Sequence, residues 1–329
     1  MLAALRDSPK GLIRMTQYVV KRCLFALLVL GVISIIVFSA VRIIPGDVCH
    51  IVLQTPDVTE QQCEVINSEL GIDKPVVTQY FKYMGGVLSG DFGNSLITKR
   101  DVFAEMKDRI PLTIELTLLS TLLALSLAIP IGVISAIKQD TAWDYVLRFT
   151  TIGWLSIPSF WLGTMLIVFP STWWNYGPPV GYVNIWEDPF KNIEQLYLPA
   201  LSLALALSAS LARITRSSML EVLRQDYICT ARAKGLGGTT VVIRHALRNA
   251  AIPVTTLFGL QVGVLFGGTV VLESIFSLPG LGGLTLSAVR AKDYSQVQGL
   301  VLLFATVLVI LNLLVDLSYA WIDPRIRYS

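Results

Sequence analysis

The sequence predicts an all-α membrane protein of about six transmembrane helices, with a small folded segment between the first and the second. Three observations carry that expectation. Of 329 residues, 53% are apolar and only 15% are charged, where a soluble domain carries about 25% charged residues. The mean hydropathy is +0.64. The charges also fall in gaps between apolar runs, and a bilayer core of ~30 Å is crossed by about 20 helical residues.

Six runs meet that length: 18–41, 110–137, 146–170, 196–214, 252–271 and 297–322. Pro111 and Pro130 fall in the second and Pro158 breaks the third. Membrane helices tolerate such prolines, because neighbouring groups re-satisfy the freed carbonyls. The second and third are therefore single, kinked spans. The fourth is short and rich in Ala and Ser, a composition suited to close helix packing. The first run has a basic flank but is too long for a signal-peptide core, and no small-x-small cleavage pattern follows it, so it is expected to be retained.

Lys and Arg in short loops set orientation. Arg6, Lys10, Arg14, Lys21 and Arg22 precede or open the first span; Lys138 and Arg148 lie between the second and third. Arg213, Arg216, Arg224, Arg232, Lys234, Arg244 and Arg248 lie between the fourth and fifth, and Arg325 and Arg327 follow the sixth. Six spans place all of these on one side, which makes it cytoplasmic. The chain then divides into a cytoplasmic tail (1–17), a first span (18–41), an extracytoplasmic segment (42–109), a membrane core (110–322) with a cytoplasmic loop at 224–250, and a cytoplasmic tail (323–329). The net charge of +3 is modest and gives no argument for nucleic acid.

Cys49 and Cys63 both fall in the outer segment, where a disulfide would close a short loop; two unpaired small hydrophobic residues is the alternative. Two histidines on opposite sides, His50 and His245, give no basis for a metal site. In the same segment Thr59 and Gln62 have the spacing of a capping box opening a short helix, with Gly71 ending it. An amphipathic stretch with Tyr80, Phe81, Tyr83, Met84, Val87 and Leu88 follows. Together they predict a small folded cap.

The loop at 224–250 carries the chemistry. Asp226 can cap a helix through Tyr227, Thr230, Ala231, Arg232 and Ala233, and Gly235, Gly237 and Gly238 stop it. A second short helix with Arg244 and His245 leads to Pro253. Small residues leave a surface another protein can approach, with Tyr227, Leu236, Arg232 and Arg244 as anchors. The plain alternative is a basic loop that sets topology and touches anionic lipid. Such a loop needs neither the small residues nor the glycine break.

Thr230–Leu236 and Arg244–Asn249 resemble the "EAA" loop of permease subunits in ATP-binding-cassette importers, in the dipeptide/oligopeptide/nickel branch, without the leading Glu of the wider pattern. Pro45-Gly46-Asp47, Gly90-Asp91-Phe92-Gly93-Asn94-Ser95, Ala212–Met219, Leu278-Pro279-Gly280-Leu281-Gly282 and Asp323–Tyr328 are similar to that branch in order, and the long outer segment is similar to its B-type subunit. The resemblance implies a MetI-like (type I) permease fold in the bacterial inner membrane. It further implies a second, C-type permease, two ATPase subunits and an extracytoplasmic solute-binding protein as partners. ATP and Mg²⁺ would then sit on the ATPases. This chain has no G-x-x-x-x-G-K-[ST] phosphate loop and is expected to bind no cofactor. The hairpin would dock on an ATPase and transmit its closure to the spans. Substrates of the branch include peptides, nickel chelates, glutathione and oligosaccharides, selected largely by the binding protein.

Ionisable groups inside spans are costly and mark function by default. Glu273 and Asp316 are therefore candidates for the translocation pathway, and polar Asn312 joins them one turn from Asp316, with structural pairing as the alternative. Pro279 and Gly280 are candidates for an irregular turn lining a cavity. An ion-coupled secondary transporter is the rival mechanism; it predicts inverted repeats and mid-span carboxylates, and neither is clear in the sequence.

Overall fold

A computed structural model describes residues 9–43, 49, 53, 59–71 and 73–322. Pro45-Gly46-Asp47, His50, the 323–329 tail with its Asp323–Tyr328 motif, and residues 1–8 of the other tail lie outside the described residues.

The described chain is helical: α1 Pro9–Ile43, α2 Glu60–Leu70, α3 Val76–Leu88, α4 Val102–Ile137, α5 Ala142–Ser156, α6 Ser159–Trp174, α7 Pro189–Leu223 and α8 Asp226–Ala233. A continuous helix then starts at Gly238–Thr240, winds as a π-helix over Val241–Leu247 (π1), and runs on as α9 Arg248–Gly268; α10 Val270–Ile275, α11 Leu281–Arg290 and α12 Tyr294–Ile322 complete the chain. Among the described residues, five helices are long and apolar enough to cross a membrane, and counting the bent α5–α6 pair as one broken span makes six.

The kink expected in 146–170 is thus a full break between two helices. α5 and α6 meet at 97°. Ile157 is extended (φ −94°, ψ 121°), the conformation favoured for a residue whose Cβ and N–H meet the following proline ring. Pro111, Pro130, Pro170, Pro199 and Pro253 by contrast stay inside helices.

The fourth span is the longest departure in length: α7 covers 35 residues where 196–214 was expected. Asp188 caps it by accepting from the Lys191 N–H at 3.1 Å, and Pro189 sits where a first-turn N–H is not needed. α7 is the central helix. Its Ala200, Ala204, Ser208 and Ala212 recur every four residues against Ala124, Ala128 and Gly132 of α4, and all are buried. A Cβ on Gly132 would come within 2.6 Å of Thr215 Cβ and 2.7 Å of the Ala212 carbonyl oxygen. Apolar helices gain little from leaving lipid for one another, so this close backbone approach is what holds the pair.

Around that pair, α9 packs on α7 and α12, α1 lies on the far side of α12, and α5 and α6 flank α7. α2 begins at the expected capping box, Thr59 and Gln62 bonding reciprocally at 3.1 and 3.4 Å, and ends at Gly71 in the left-handed region. The Cys49 and Cys63 sulfurs are bonded, with the Cα atoms 5.2 Å apart. We refer to the two ends of the bundle as the cap end (α2, α3) and the hairpin end (α8–π1).

Candidate coupling hairpin and translocation elements

At the hairpin end, Ile228, Ala231, Val241, Ala246 and Ala250 close a small core with Ala136 of α4 and Met219 of α7. The α8–π1 hairpin is thus seated directly on the ends of the two central helices. Gly235 turns the chain at φ +82°, a left-handed conformation that costs a residue with Cβ about 1–2 kcal/mol. Neither Gly237 nor Gly238 has a positive φ. Asp226 lies in the first turn, where its charge favours the helix dipole, but the N-cap position is held by Gln225.

Ala231 does not lie on the outer face the sequence assigned to it. It is buried in the hairpin core, so its small size serves packing within this chain. Tyr227, Thr230, Arg232, Ala233, Gly235, Leu236 and Arg244 are exposed, and His245 is half-buried. Ile243, which the sequence did not single out, joins Tyr227 and Leu236 as an exposed apolar side chain. Nor did the sequence mark Asn249: its Nδ2 donates to Tyr227 Oη at 2.9 Å and to the His245 carbonyl at 2.9 Å. This bond ties α8 to the base of α9. Tyr227→Phe removes it at a half-exposed position and is expected to cost about 0.5–1.5 kcal/mol, seen as faster amide exchange across 226–233 with membrane insertion intact.

A second link lies just inside the hairpin. Arg216 of α7 meets Asp144 of α5 in two contacts (Nε–Oδ1 2.9 Å, Nη2–Oδ2 2.8 Å) and donates to Ser135 Oγ of α4 at 3.0 Å. Ser135 also bonds Asp144, and the Asp140 N–H donates to it at 3.1 Å. Asp144 is fully buried. The bent α5 is thereby held to both central helices.

At the cap end the carboxylate of Glu273 is fully buried. Its Oε1 accepts from Thr113 Oγ1 (3.1 Å) and Thr269 Oγ1 (2.9 Å), and its Oε2 from the Gly283 N–H (3.0 Å). Thr113 in turn accepts from the Leu281 N–H at 3.0 Å. The turn between α10 and α11 is thus laced to α4 through one carboxylate. A Cβ on Gly280 or Gly282 would overlap that carboxylate. Glu273 tethers the turn and Gly280 leaves room for its carboxylate, both buried within this chain; Pro279, at the tip of the turn, is exposed. Asp316 forms an ion pair with Arg22 of α1 at 2.8 Å, the structural pairing that was the alternative to a pathway role. Asn312, one turn earlier on α12, is half-buried.

The Gly90–Ser95 motif also finds its partner. Asp293 is buried, bonds Ser95 Oγ, accepts from the Leu96 N–H at 3.1 Å, and caps α12 through the Gln296 N–H at 3.2 Å. Ser95 and Asp293 are 198 residues apart, a pairing no local pattern announces.

With this geometry in place, likeness to known proteins is informative. Residues 128–328 match the family described as "Binding-protein-dependent transport system inner membrane component", and residues 15–117 match the N-terminal region of such membrane components. The chain belongs to this family. This binding-protein-dependent permease is 39% identical to the dipeptide transport system permease protein DppB of Escherichia coli (strain K12) over 338 residues, 96% of this chain and 100% of that protein. It is 39% identical to the oligopeptide transport system permease protein AppB of Bacillus subtilis (strain 168), covering 95% and 100%. To the glutathione transport system permease protein GsiC of E. coli (strain K12) it is 38% identical, covering 96% and 100%. The fold of the permease is similar to a chain of the inward-facing MetNI methionine ABC transporter, with a TM-score of 0.54 at 17% identity over 67% of this chain and 96% of that one. The permease is a multi-pass membrane subunit of an ABC importer of the B type, and nothing in these relatives supports an ion-coupled carrier.

Proposed function

We propose that this permease forms half of the pathway by which a solute-binding protein's cargo, di- or oligopeptides or a similar small solute, enters the cell. A C-type permease completes the pathway, and two separate ATPase subunits, holding ATP and Mg²⁺, drive it. The relatives named for dipeptide, oligopeptide and glutathione transport support that substrate class. Both termini and the hairpin end face the cytoplasm in this reading, because Arg213, Arg216, Arg224, Arg232, Lys234, Arg244 and Arg248 cluster there.

One observation carries the coupling role: the hairpin exposes Tyr227, Leu236 and Ile243 outward while its inner side shares a core with α4 and α7. A partner that grips the outer side moves the central helices as one body. Nucleotide then acts by favouring one arrangement of the permease pair over the other.

The test uses Gly235, which is exposed and has open space around its Cβ position. Gly235→Asn keeps a residue that tolerates the left-handed turn; Gly235→Trp adds bulk on the docking face. In proteoliposomes holding the full complex and the binding protein, Gly235→Asn is expected to retain uptake. Gly235→Trp is expected to lose it by about tenfold or more, equivalent to ~1.4 kcal/mol of coupling, with ATP hydrolysis no longer stimulated by cargo. Normal uptake by the Trp variant overturns the coupling role. A binding protein that co-purifies with the complex but holds neither a peptide nor a similar small solute overturns the substrate class.

A further inference from the structure

The cap helix α3 is anchored to α1 at a depth that places it against the bilayer. The apolar span of α1 is Val19–Ala40. Within it, Ser34 Oγ and Tyr80 Oη lie 2.8 Å apart. Ser34 is six residues inside the end of that span, or about 9 Å at the helical rise. The Tyr80 ring also meets the Phe38 ring edge-on at 5.2 Å, and Tyr83 lies 6.0 Å from it. Phe38 is two residues inside the same boundary. Above it, Arg42 lies over the Phe38 ring at 3.4 Å and donates to Gln79 Oε1 at 2.6 Å. Six side chains, three from α1 and three from α3, therefore interlock at the level where hydrocarbon gives way to headgroups.

Among the described residues, the other side of α3 is unpartnered and apolar. Val77, Phe81 and Leu88 recur at i, i+4 and i+11, which aligns them on one stripe, and they are 66%, 68% and 84% exposed. No residue of α3 is buried. Beside the Ser34–Phe38 anchor, the exposed side chains of α1 are Val32, Ile35 and Ile36, continuing downward as Leu28, Leu27, Phe25 and Leu24. The stripe thus adjoins a surface whose length and composition fit lipid.

We propose that α3 is an interfacial helix: its Val77–Phe81–Leu88 stripe lies among the acyl chains of the leaflet on the cap side, while Lys82 reaches back toward the headgroups. A helix of this kind embeds its apolar face about 5–10 Å into the headgroup–acyl boundary. Depth and continuity with α1 favour lipid over a protein occupant. The inference depends on the membrane position of α1 and not on cargo or on ATPase docking. α3 thereby fixes the height of the outer segment against the bilayer.

The test places an environment-sensitive fluorophore at Phe81→Cys, with Cys23→Ser and Cys229→Ser in the background so that the Cys49–Cys63 pair is kept. The full complex is held in phosphatidylcholine nanodiscs. Nitroxide carried high on the acyl chain is expected to remove most of the emission, and aqueous iodide little of it. A label at Lys82→Cys is expected to show the reverse, and Val77→Cys to repeat the Phe81 result should the first site perturb folding. Equal iodide quenching at positions 81 and 82, with no effect of nitroxide lipid, overturns the proposal. Shielding of position 81 from both quenchers also overturns it, because a protein then covers the stripe.

Discussion

Replacing Glu273 with alanine is expected to abolish solute uptake while leaving the chain in the membrane. The carboxylate takes three donors: the Thr113 and Thr269 hydroxyls and the Gly283 N–H. All lie where water is excluded, and a buried donor left without a partner costs about 1–3 kcal/mol. The Leu281 N–H depends on the same knot through Thr113, so the α10–α11 turn loses its hold on α4 at two points. Glu273→Gln separates connectivity from charge. Its remaining oxygen can serve both threonines, but its amide nitrogen then faces the Gly283 N–H, donor against donor. Uptake by the Gln variant is expected to be reduced and measurable, and Thr113→Val to resemble it. Wild-type uptake by Glu273→Ala, measured at matched protein level in proteoliposomes, would rule out the tethering role.

Arg216→Met is expected to be the most destabilising single change at the hairpin end. Asp144 is fully buried, and Arg216 supplies its two closest charged contacts. Removing one partner of a buried pair leaves an uncompensated charge and typically costs ~3–5 kcal/mol. Arg148, half-exposed and 4.0 Å from Asp144, offsets part of that and places the effect toward the lower end. Replacing both partners with apolar residues of similar volume is often neutral or better. The double variant Asp144→Leu/Arg216→Met is therefore expected to recover much of the thermal stability that Arg216→Met loses. Thermal melts of the detergent-solubilised complex, followed by fluorescence-detected size exclusion, check this. Equal melting of the single and double variants would show that the stranded charge is not the cause.

These two knots explain what was legible from residues alone. Helix existence was legible wherever the signal is local. The Thr59–Gln62 box, Gly71, the apolar runs of α1, α4 and α12, and the left-handed turn at Gly235 each rest on a few neighbouring residues. The family pattern in Thr230–Leu236 and Arg244–Asn249 was equally local. What these residues touch was not. Ala231 reads as a smooth docking surface in a string of small residues, and only the arrival of Met219 and Ala136 makes it core. Glu273 reads as a charge in a span, a default candidate for the pathway. Its true partners come from Thr113, 160 residues away, and from backbone N–H groups whose direction no sequence records.

The six prolines inside the apolar runs make the same distinction. By itself the sequence determined that this is an α-helical membrane protein, how many apolar elements it has, and that one basic hairpin breaks at a glycine. Those properties follow from transfer energies and backbone preferences, which act residue by residue. The tertiary structure alone decided that Pro158 would turn the chain through 97° while Pro130 and Pro199 would stay helical. It also decided that Arg216 would close on Asp144, and that a single carboxylate would hold the α10–α11 turn. Those outcomes depend on which helix faces meet, and in a membrane that is settled by close packing and by the need of each buried polar group for a partner.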